Sequence, residues 1–388
     1  MTDPKNWQPP TFGAPPEVPP TGPPAAPSSS MPPVPPVGPA LGGPPPGWLP
    51  PPKPGLIPLR PLAFGTLMFA PFQVLRRNPR ATFGSALLIQ GVILLASIAI
   101  VGPVTFWVVN RISSAPTDQQ AEVEAGGILL IVLSALIPLF LSVIASALLQ
   151  GVIVTEVARG TLGEKLNMRR LWKAARPRLW TLVLWTLLLT AALIGALAVL
   201  VGIVVLFVIL GDTLGITLAI VTGIVGGLGY VAAVLWIWTK TSVVPSLIVL
   251  ERLSVRAAIR RSWTLTRGYF WRTFGVLALV TIIVNTLVTI VTTPFTLAFT
   301  WLMSLIDPTA ALDAFGPAAL AYAANIAVSL VAGAIGSVIT SATLALIYID
   351  LRMRTEGLDL ELARYVESAQ SGADVADPYL TARVTAQA

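Results

Sequence analysis

The sequence predicts an all-α, polytopic membrane protein: six transmembrane helices in three elbow-hairpin repeats, behind a disordered Pro-rich N-terminal tail. Three observations carry this. Of 388 residues, 55% are hydrophobic and 11% charged, against roughly 25% charged in an ordinary soluble domain, and the mean hydropathy is +0.79. Six uncharged or nearly uncharged apolar runs reach the ~20 residues that cross a bilayer core. Similar lead-in and exit residues also recur about every 95 residues, the mark of an internal repeat.

Residues 1–58 hold 23 of the 35 prolines and four charges, Asp3, Lys5, Glu17 and Lys53. Runs such as Pro32-Pro33-Val34-Pro35-Pro36 and Pro44-Pro45-Pro46 favour a solvated polyproline II backbone and cannot build a core, so this segment is expected to be a disordered cytoplasmic tail. It is either a spacer or a ligand for a proline-recognition domain. It carries no basic segment followed by an apolar one, so no cleaved signal peptide is expected. The six-helix membrane domain is placed at 59–366 and a disordered C-terminal tail at 367–388.

The apolar runs lie at 84–109, 127–155, 179–210, 215–239, 273–301 and 317–349. The third would be about 48 Å long at ~1.5 Å per residue, more than the ~30 Å hydrocarbon core, and is expected to tilt or project. The connections set the orientation. Arg111 is the one cation after the first, third and fifth runs, among Asp118, Glu122, Glu124, Asp212, Asp307 and Asp313. The other 24 cations lie on the opposite side or in the tail, so the positive-inside rule puts both termini in the cytoplasm. The excess of Arg over Lys, with abundant Ala and Pro, fits a bacterial protein of the cell (inner) membrane. Cations clustered beside apolar runs are topology signals, and no nucleic-acid partner is expected.

The repeat lead-ins are Asn78-Pro79-Arg80, Arg176-Pro177-Arg178 and Trp271-Arg272-Thr273, and the exits are Thr155-Glu156, Leu250-Glu251 and Ile349-Asp350. Before the second and third lead-ins run amphipathic elbows. In one, Asn167 is a candidate N-cap, Met168, Leu171, Trp172 and Ala175 share a face, and Arg169, Arg170, Lys173 and Arg176 fill the remainder. In the other, Ser254 is the candidate cap, Val255, Ile259 and Trp263 fall four apart, and Arg256, Arg260, Arg261 and Arg267 supply the charge. Such helices lie at the headgroup boundary and attract anionic phospholipid or a partner protein; alternatively the same cations only orient the chain.

Each exit acid opposes the negative end of its helix dipole, which calls for a nearby cation. Glu156 with Arg159, Glu251 with Arg252, and Asp350 with Arg352 and Arg354 are candidate ion pairs. The alternative is a three-acid cation or proton site. Within the spans, Gln90, Asn285 and Asn325 are read as bonds between helices, and Lys240, following Trp236 and Trp238, as an interfacial lysine that snorkels. There is no Cys and no His, so disulfides, Cys/His zinc sites and His-based acid/base catalysis drop out. No cofactor, metal site or catalytic residue is expected.

The stretch Arg260-Arg261-Ser262-Trp263-Thr264-Leu265-Thr266-Arg267-Gly268-Tyr269-Phe270-Trp271-Arg272, with Tyr348-Ile349-Asp350-Leu351-Arg352-Met353-Arg354-Thr355-Glu356-Gly357-Leu358-Asp359, resembles the membrane domain attached to some bacterial glycerophosphoryl diester phosphodiesterases and related actinobacterial membrane proteins of unknown function. The resemblance implies a membrane fold over residues 58–362. In those enzymes the chemistry belongs to a separate soluble barrel that uses histidines and metal-binding carboxylates. No such barrel is read in this chain, and only the fold is carried over. The functional expectation is a non-catalytic scaffold or accessory subunit that engages other membrane proteins or anionic lipid at the cytoplasmic face. The alternative is a transporter or lipid-handling protein with a site between the repeats.

Overall fold

A chain this apolar satisfies its backbone within lipid only by continuous helix or a closed barrel, and it takes the first course. The computed structural model describes residues 55–305, 315–370 and 377–380. Its elements are α1 (Phe64–Arg77), α2 (Pro79–Ser113), α3 (Gln120–Thr161), α4 (Met168–Ile209), α5 (Thr213–Thr241), α6 (Val244–Leu250), α7 (Val255–Leu265), α8 (Phe270–Leu305), α9 (Phe315–Glu356) and α10 (Leu358–Gln370). There is no strand among the described residues. Six helical stretches are long and apolar enough to cross a membrane, and each overlaps one of the six runs read from the sequence, four of which lie wholly within them. The Pro-rich tail up to residue 54 lies outside the described residues.

The long helices pair in sequence as the hairpins α2–α3, α4–α5 and α8–α9. α3, α4 and α9 have 42 residues each, about 63 Å at ~1.5 Å per residue, so each extends well past a ~30 Å hydrocarbon core. Burial separates the helices sharply. In its most apolar window α9 is 67% buried, while the α4 window is 0% buried and the α2 and α5 windows 6%. α9 is therefore the packed centre, against which α1, α2, α3 and α8 lie. The α4–α5 hairpin, with Val199, Leu206, Ile209, Ile220 and Leu228 exposed, presents its apolar surface outward. So broad an apolar surface suits lipid rather than water.

Core packing concentrates at the end of the bundle where α1, α6, α7 and α10 gather. Ile153, Val154 and Val157 of α3, Leu247 and Ile248 of α6, and Leu346, Ile347 and Tyr348 of α9 are nearly or fully buried there. Apolar burial of this kind contributes about 1.5–3 kcal/mol per large side chain when water is the alternative. It is the part of the fold that resembles the interior of a soluble domain.

Short helices precede the first and third hairpins but not the second. α1 ends at Asn78 (φ −141°, ψ 64°), and α7 ends in a turn through Gly268, whose φ of +84° only glycine adopts freely. The elbow expected before the second hairpin is instead the first turns of α4, which continue through Pro177. Proline deprives the Lys173 carbonyl of its intrahelical donor, yet Lys173 and Pro177 are both exposed, so that carbonyl is not sealed in the core and the helix need not break. Asn167 and Ser254 occupy the N-cap positions expected of them, but neither side chain bonds the helix. The Asn167 carbonyl accepts from the amides of Arg170 and Leu171 instead.

Both ends of the expected domain move outward. Leu56 and Ile57 are buried, and the Leu56 amide donates to the Gly160 carbonyl at 3.0 Å, so residues ahead of the boundary set at 59 are already packed. A Cβ at Gly55 would collide with the Thr161 carbonyl oxygen, which makes glycine a requirement of this close approach. At the other end α10 runs to Gln370, past the boundary set at 366. Asp377–Leu380 is also packed, with Tyr379 2% exposed. An aromatic ring with a hydroxyl that finds partners is what draws this segment in.

Among polar groups in the spans, the Gln90 amide donates to Ser337 at 3.3 Å, and that of Asn325 to Thr296 at 2.8 Å, both between helices. Asn285 instead bonds the Thr281 carbonyl of its own helix. Lys240 lies 5.8 Å from the Phe270 ring centre, a cation–π contact. Trp236 meets Trp263 of α7 edge-to-face at 5.0 Å.

Candidate functional site

The three exit acids are all buried, Glu156 and Asp350 at 2% exposure and Glu251 at 0%. A buried carboxylate is tolerated when paired and hydrogen-bonded, and the three solve this differently. Asp350 accepts from the Leu62 amide at 2.8 Å and from Arg354 at 3.0 Å, and lies 3.4 Å from Arg272. Both arginines donate to the Leu62 carbonyl at 2.7 Å. The extended segment before α1 is thus clamped at Leu62 by one carboxylate and two guanidinium groups.

Glu251 sits between Arg261 and α9. Arg261 Nε is 2.5 Å from its Oε2, a charge contact without hydrogen-bond alignment. Tyr348 donates to Oε1 at 3.0 Å, and Arg352 lies 3.8 Å away. Glu156 has no ion pair among the described residues. Asn78 donates to its Oε1 at 3.1 Å, and its buried Oε2 has no hydrogen-bond partner among the described residues. Two of these contacts are equivalent in sequence: Asn78 precedes Glu156, and Arg272 precedes Asp350, by 78 positions.

The pairings expected from sequence proximity are therefore corrected except for Asp350 with Arg354. Arg352 is two residues from Asp350 and so points to the other side of α9, whereas i,i+4 neighbours share a face. It bonds Glu356 at 2.9 Å and Tyr348 at 3.0 Å. Arg252 does not meet Glu251. It is exposed, just past the end of α6, in the left-handed conformation with φ 56°. Arg159 turns from Glu156 to Asp377 at 2.7 Å and Glu164 at 3.7 Å. The alternative of a three-acid cation site also fails among the described residues, where no three such ligands converge.

Arg352 and Tyr379, at the C-terminal end, tie the cluster together. Arg352, with 4% of its side chain exposed, reaches the Tyr379 carbonyl at 3.4 Å. The Tyr379 hydroxyl hydrogen-bonds with that of Thr161 and is 3.1 Å from the Ala158 carbonyl. Burial, the largest influence, pushes the Tyr379 hydroxyl above the usual tyrosine range. Tyr379 escaped the sequence reading because Asp377-Pro378-Tyr379 follows a polar stretch without periodicity; an aromatic residue after Pro was the available signal.

The candidate lipid or partner surface divides. On α4, Leu171 and Ala175 are buried while Arg169, Arg170, Lys173 and Arg176 are exposed. Trp172 fixes this face to α2 by donating to Ser85 at 3.2 Å. On α7, Ala258 is buried and Arg256 and Arg260 are exposed. Arg261 leaves that surface, because it is held by Glu251 and by Glu356 at 2.9 Å. Position 261 is one residue from buried Ser262, so a long side chain there reaches inward along the helix flank.

No curated protein matches the chain, and neither does any solved structure. A family model described as "Domain of unknown function (DUF7847)" matches residues 74–351. That span begins within α1, takes in all three hairpins and the three exit acids, and stops just after Asp350. Because it covers more than half of the sequence, the chain belongs to this DUF7847 family of unknown function.

Proposed function

We propose that this protein is a non-catalytic membrane scaffold or accessory subunit, held by its basic end to the anionic lipid of the cytoplasmic leaflet, with both termini on that side. The observation that carries the reading is on the first turns of α4. Arg169, Arg170, Lys173 and Arg176 are exposed together, and none makes an ion pair or side-chain hydrogen bond among the described residues, while Arg261, Arg272, Arg352 and Arg354 are taken up by carboxylates. This free group faces outward beside the spans. Exposed guanidinium and ammonium groups at a membrane surface attract anionic lipid by about 1 kcal/mol each.

The three hairpins, with their exit acids at one end, support a threefold elbow-hairpin repeat in which the second elbow has fused to its span. Likeness to the phosphodiesterase-associated membrane domain then reflects a shared fold and not shared chemistry. The test is retention of anionic lipid by purified protein. Arg169→Gln, Arg170→Gln and Lys173→Gln together should remove about 3 kcal/mol, roughly a hundredfold in affinity, and salt should weaken the wild type in the same direction. Unchanged retention in a correctly oriented triple variant would refute the lipid reading, and phosphodiester turnover by the pure protein would refute the non-catalytic one.

A further inference from the structure

Between α3, α4 and α6, under the Asp377–Leu380 segment, lies a cavity of about 390 Å³. Its size suits a small headgroup rather than a whole lipid. The charged lining is Arg159, Arg178 and Arg252 against one carboxylate, Asp377. Three arginines lining one space favour an anion among them, and the chain supplies one: Asp377 Oδ2 is 2.7 Å from Arg159. Arg178 and Arg252 have no ion pair or side-chain hydrogen bond among the described residues. With Arg159 neutralised, two positive charges remain, a match for the −1.5 to −2 charge of a phosphate monoester.

The backbone at Arg252 adds an independent observation. It follows the last residue of α6 and its cap, in the left-handed conformation that glycine or asparagine normally takes at a helix end. Arginine there gains nothing for the turn. Backbone held in a sparsely populated region points to a functional demand on the side chain, and Arg252 is one of the residues that line the cavity.

We infer that the cavity binds a phosphate monoester group, gripped by Arg178 and Arg252 through charge-assisted hydrogen bonds, with Asp377 as an internal competitor for Arg159. This rests on the reading that the basic end of the bundle meets anionic lipid, and names one site and ligand chemistry for it. The same chemistry is offered by the headgroup of phosphatidic acid and by a soluble phosphate ester.

The experiment titrates the purified full chain in neutral micelles with dioctanoyl phosphatidic acid, glycerol 3-phosphate and, as a control, dioctanoyl phosphatidylcholine. Saturable binding of a monoester but not of phosphatidylcholine is expected. Arg178→Gln and Arg252→Gly should each weaken it about tenfold, the loss of one charge-assisted hydrogen bond. Arg252→Gly keeps the experiment clear of misfolding, because glycine suits the backbone there and thermal unfolding should be unchanged or later. Asp377→Asn preserves an acceptor for the Tyr379 amide and should tighten binding. Equal affinity for glycerol 3-phosphate assigns a soluble ligand; binding of phosphatidic acid alone assigns a lipid headgroup. No binding of either monoester, or affinity unchanged in both arginine variants, overturns the site. The Arg169, Arg170 and Lys173 triple variant, titrated alongside, separates the two readings: loss there with intact binding in the cavity variants overturns the cavity and leaves the surface reading standing.

Discussion

Replacing Arg352 with Met removes a charge from the most enclosed part of the cluster while keeping an unbranched chain of similar reach. The guanidinium bonds Glu356 at 2.9 Å, the Tyr348 hydroxyl at 3.0 Å and the Tyr379 carbonyl at 3.4 Å, and stands 3.8 Å from Glu251. Its loss leaves Glu251, which has no exposure, compensated by Arg261 and Tyr348 alone. Breaking a buried ion pair by removing one partner typically costs 3–5 kcal/mol. Because Arg261 remains, the expected cost is near the lower bound, about 3 kcal/mol. Arg261→Gln should cost less, about 1–2 kcal/mol, since Arg261 is 28% exposed and its bond to Glu356 is accessible to solvent. Equilibrium unfolding in mixed micelles measures both. The decisive comparison is Glu251→Leu with Arg352→Met: removal of both charges should recover at least 1 kcal/mol of the single-variant loss, because an apolar pair needs no compensation. An Arg352→Met cost below ~1 kcal/mol, or a double variant with purely additive losses, would refute the claim that these charges stabilise one another.

The other acids give opposite expectations in the same assay. Glu156→Gln should be neutral or stabilising, since one carboxylate oxygen is buried without a partner, whereas Asp350→Asn should cost about 1.5–3 kcal/mol by weakening the Arg272 and Arg354 contacts; equal costs would contradict the distinction. Tyr379 titrates above its ordinary value of 10.0 when docked, so the docked state favours the neutral hydroxyl. Docking should be at full strength below pH ~10 and decline above it, where the released tyrosine ionises and the docked one does not, and a spectrophotometric titration should lose one late-ionising tyrosine in Tyr379→Phe. Reporters fused after Ala388 and inserted at Asp118 should fall on opposite sides, inside and outside; both on one side would refute the six-span orientation.

The spans were legible because lipid leaves a chain few choices: roughly twenty apolar residues without charge have to be helix. The elements outside lipid were legible only where a turn residue marked them. Gly268 ends α7 visibly, but nothing in Arg176-Pro177-Arg178 says that α4 runs on, because a proline breaks a helix according to whether its orphaned carbonyl finds polar surroundings. The need of the exit acids for compensation followed from their conflict with the helix dipole; their burial did not. Nor did their partners, because an arginine reaches several ångströms and the choice among neighbours is made by helical phase and tertiary approach. Arg354 was found at i+4, whereas Arg261 and Arg272 come from other elements. Leu62, whose backbone holds the Asp350 cluster, carries no polar side chain to announce that role.

The central position of α9 also bears on the order of assembly. The helix against which α1, α2, α3 and α8 pack is the last span to be made, and α2 begins more than two hundred residues before it. At about 5–20 residues per second, the α2–α3 hairpin exists for about ten seconds or more without the helix that packs against both of its members. The Gln90 amide has to wait that long for Ser337, and Asp350 reaches Leu62 only after nearly the whole membrane domain has been synthesised. The first two hairpins can already meet through α3 and α4, so what waits for α9 is the packing of α1, α2, α3 and α8 around it.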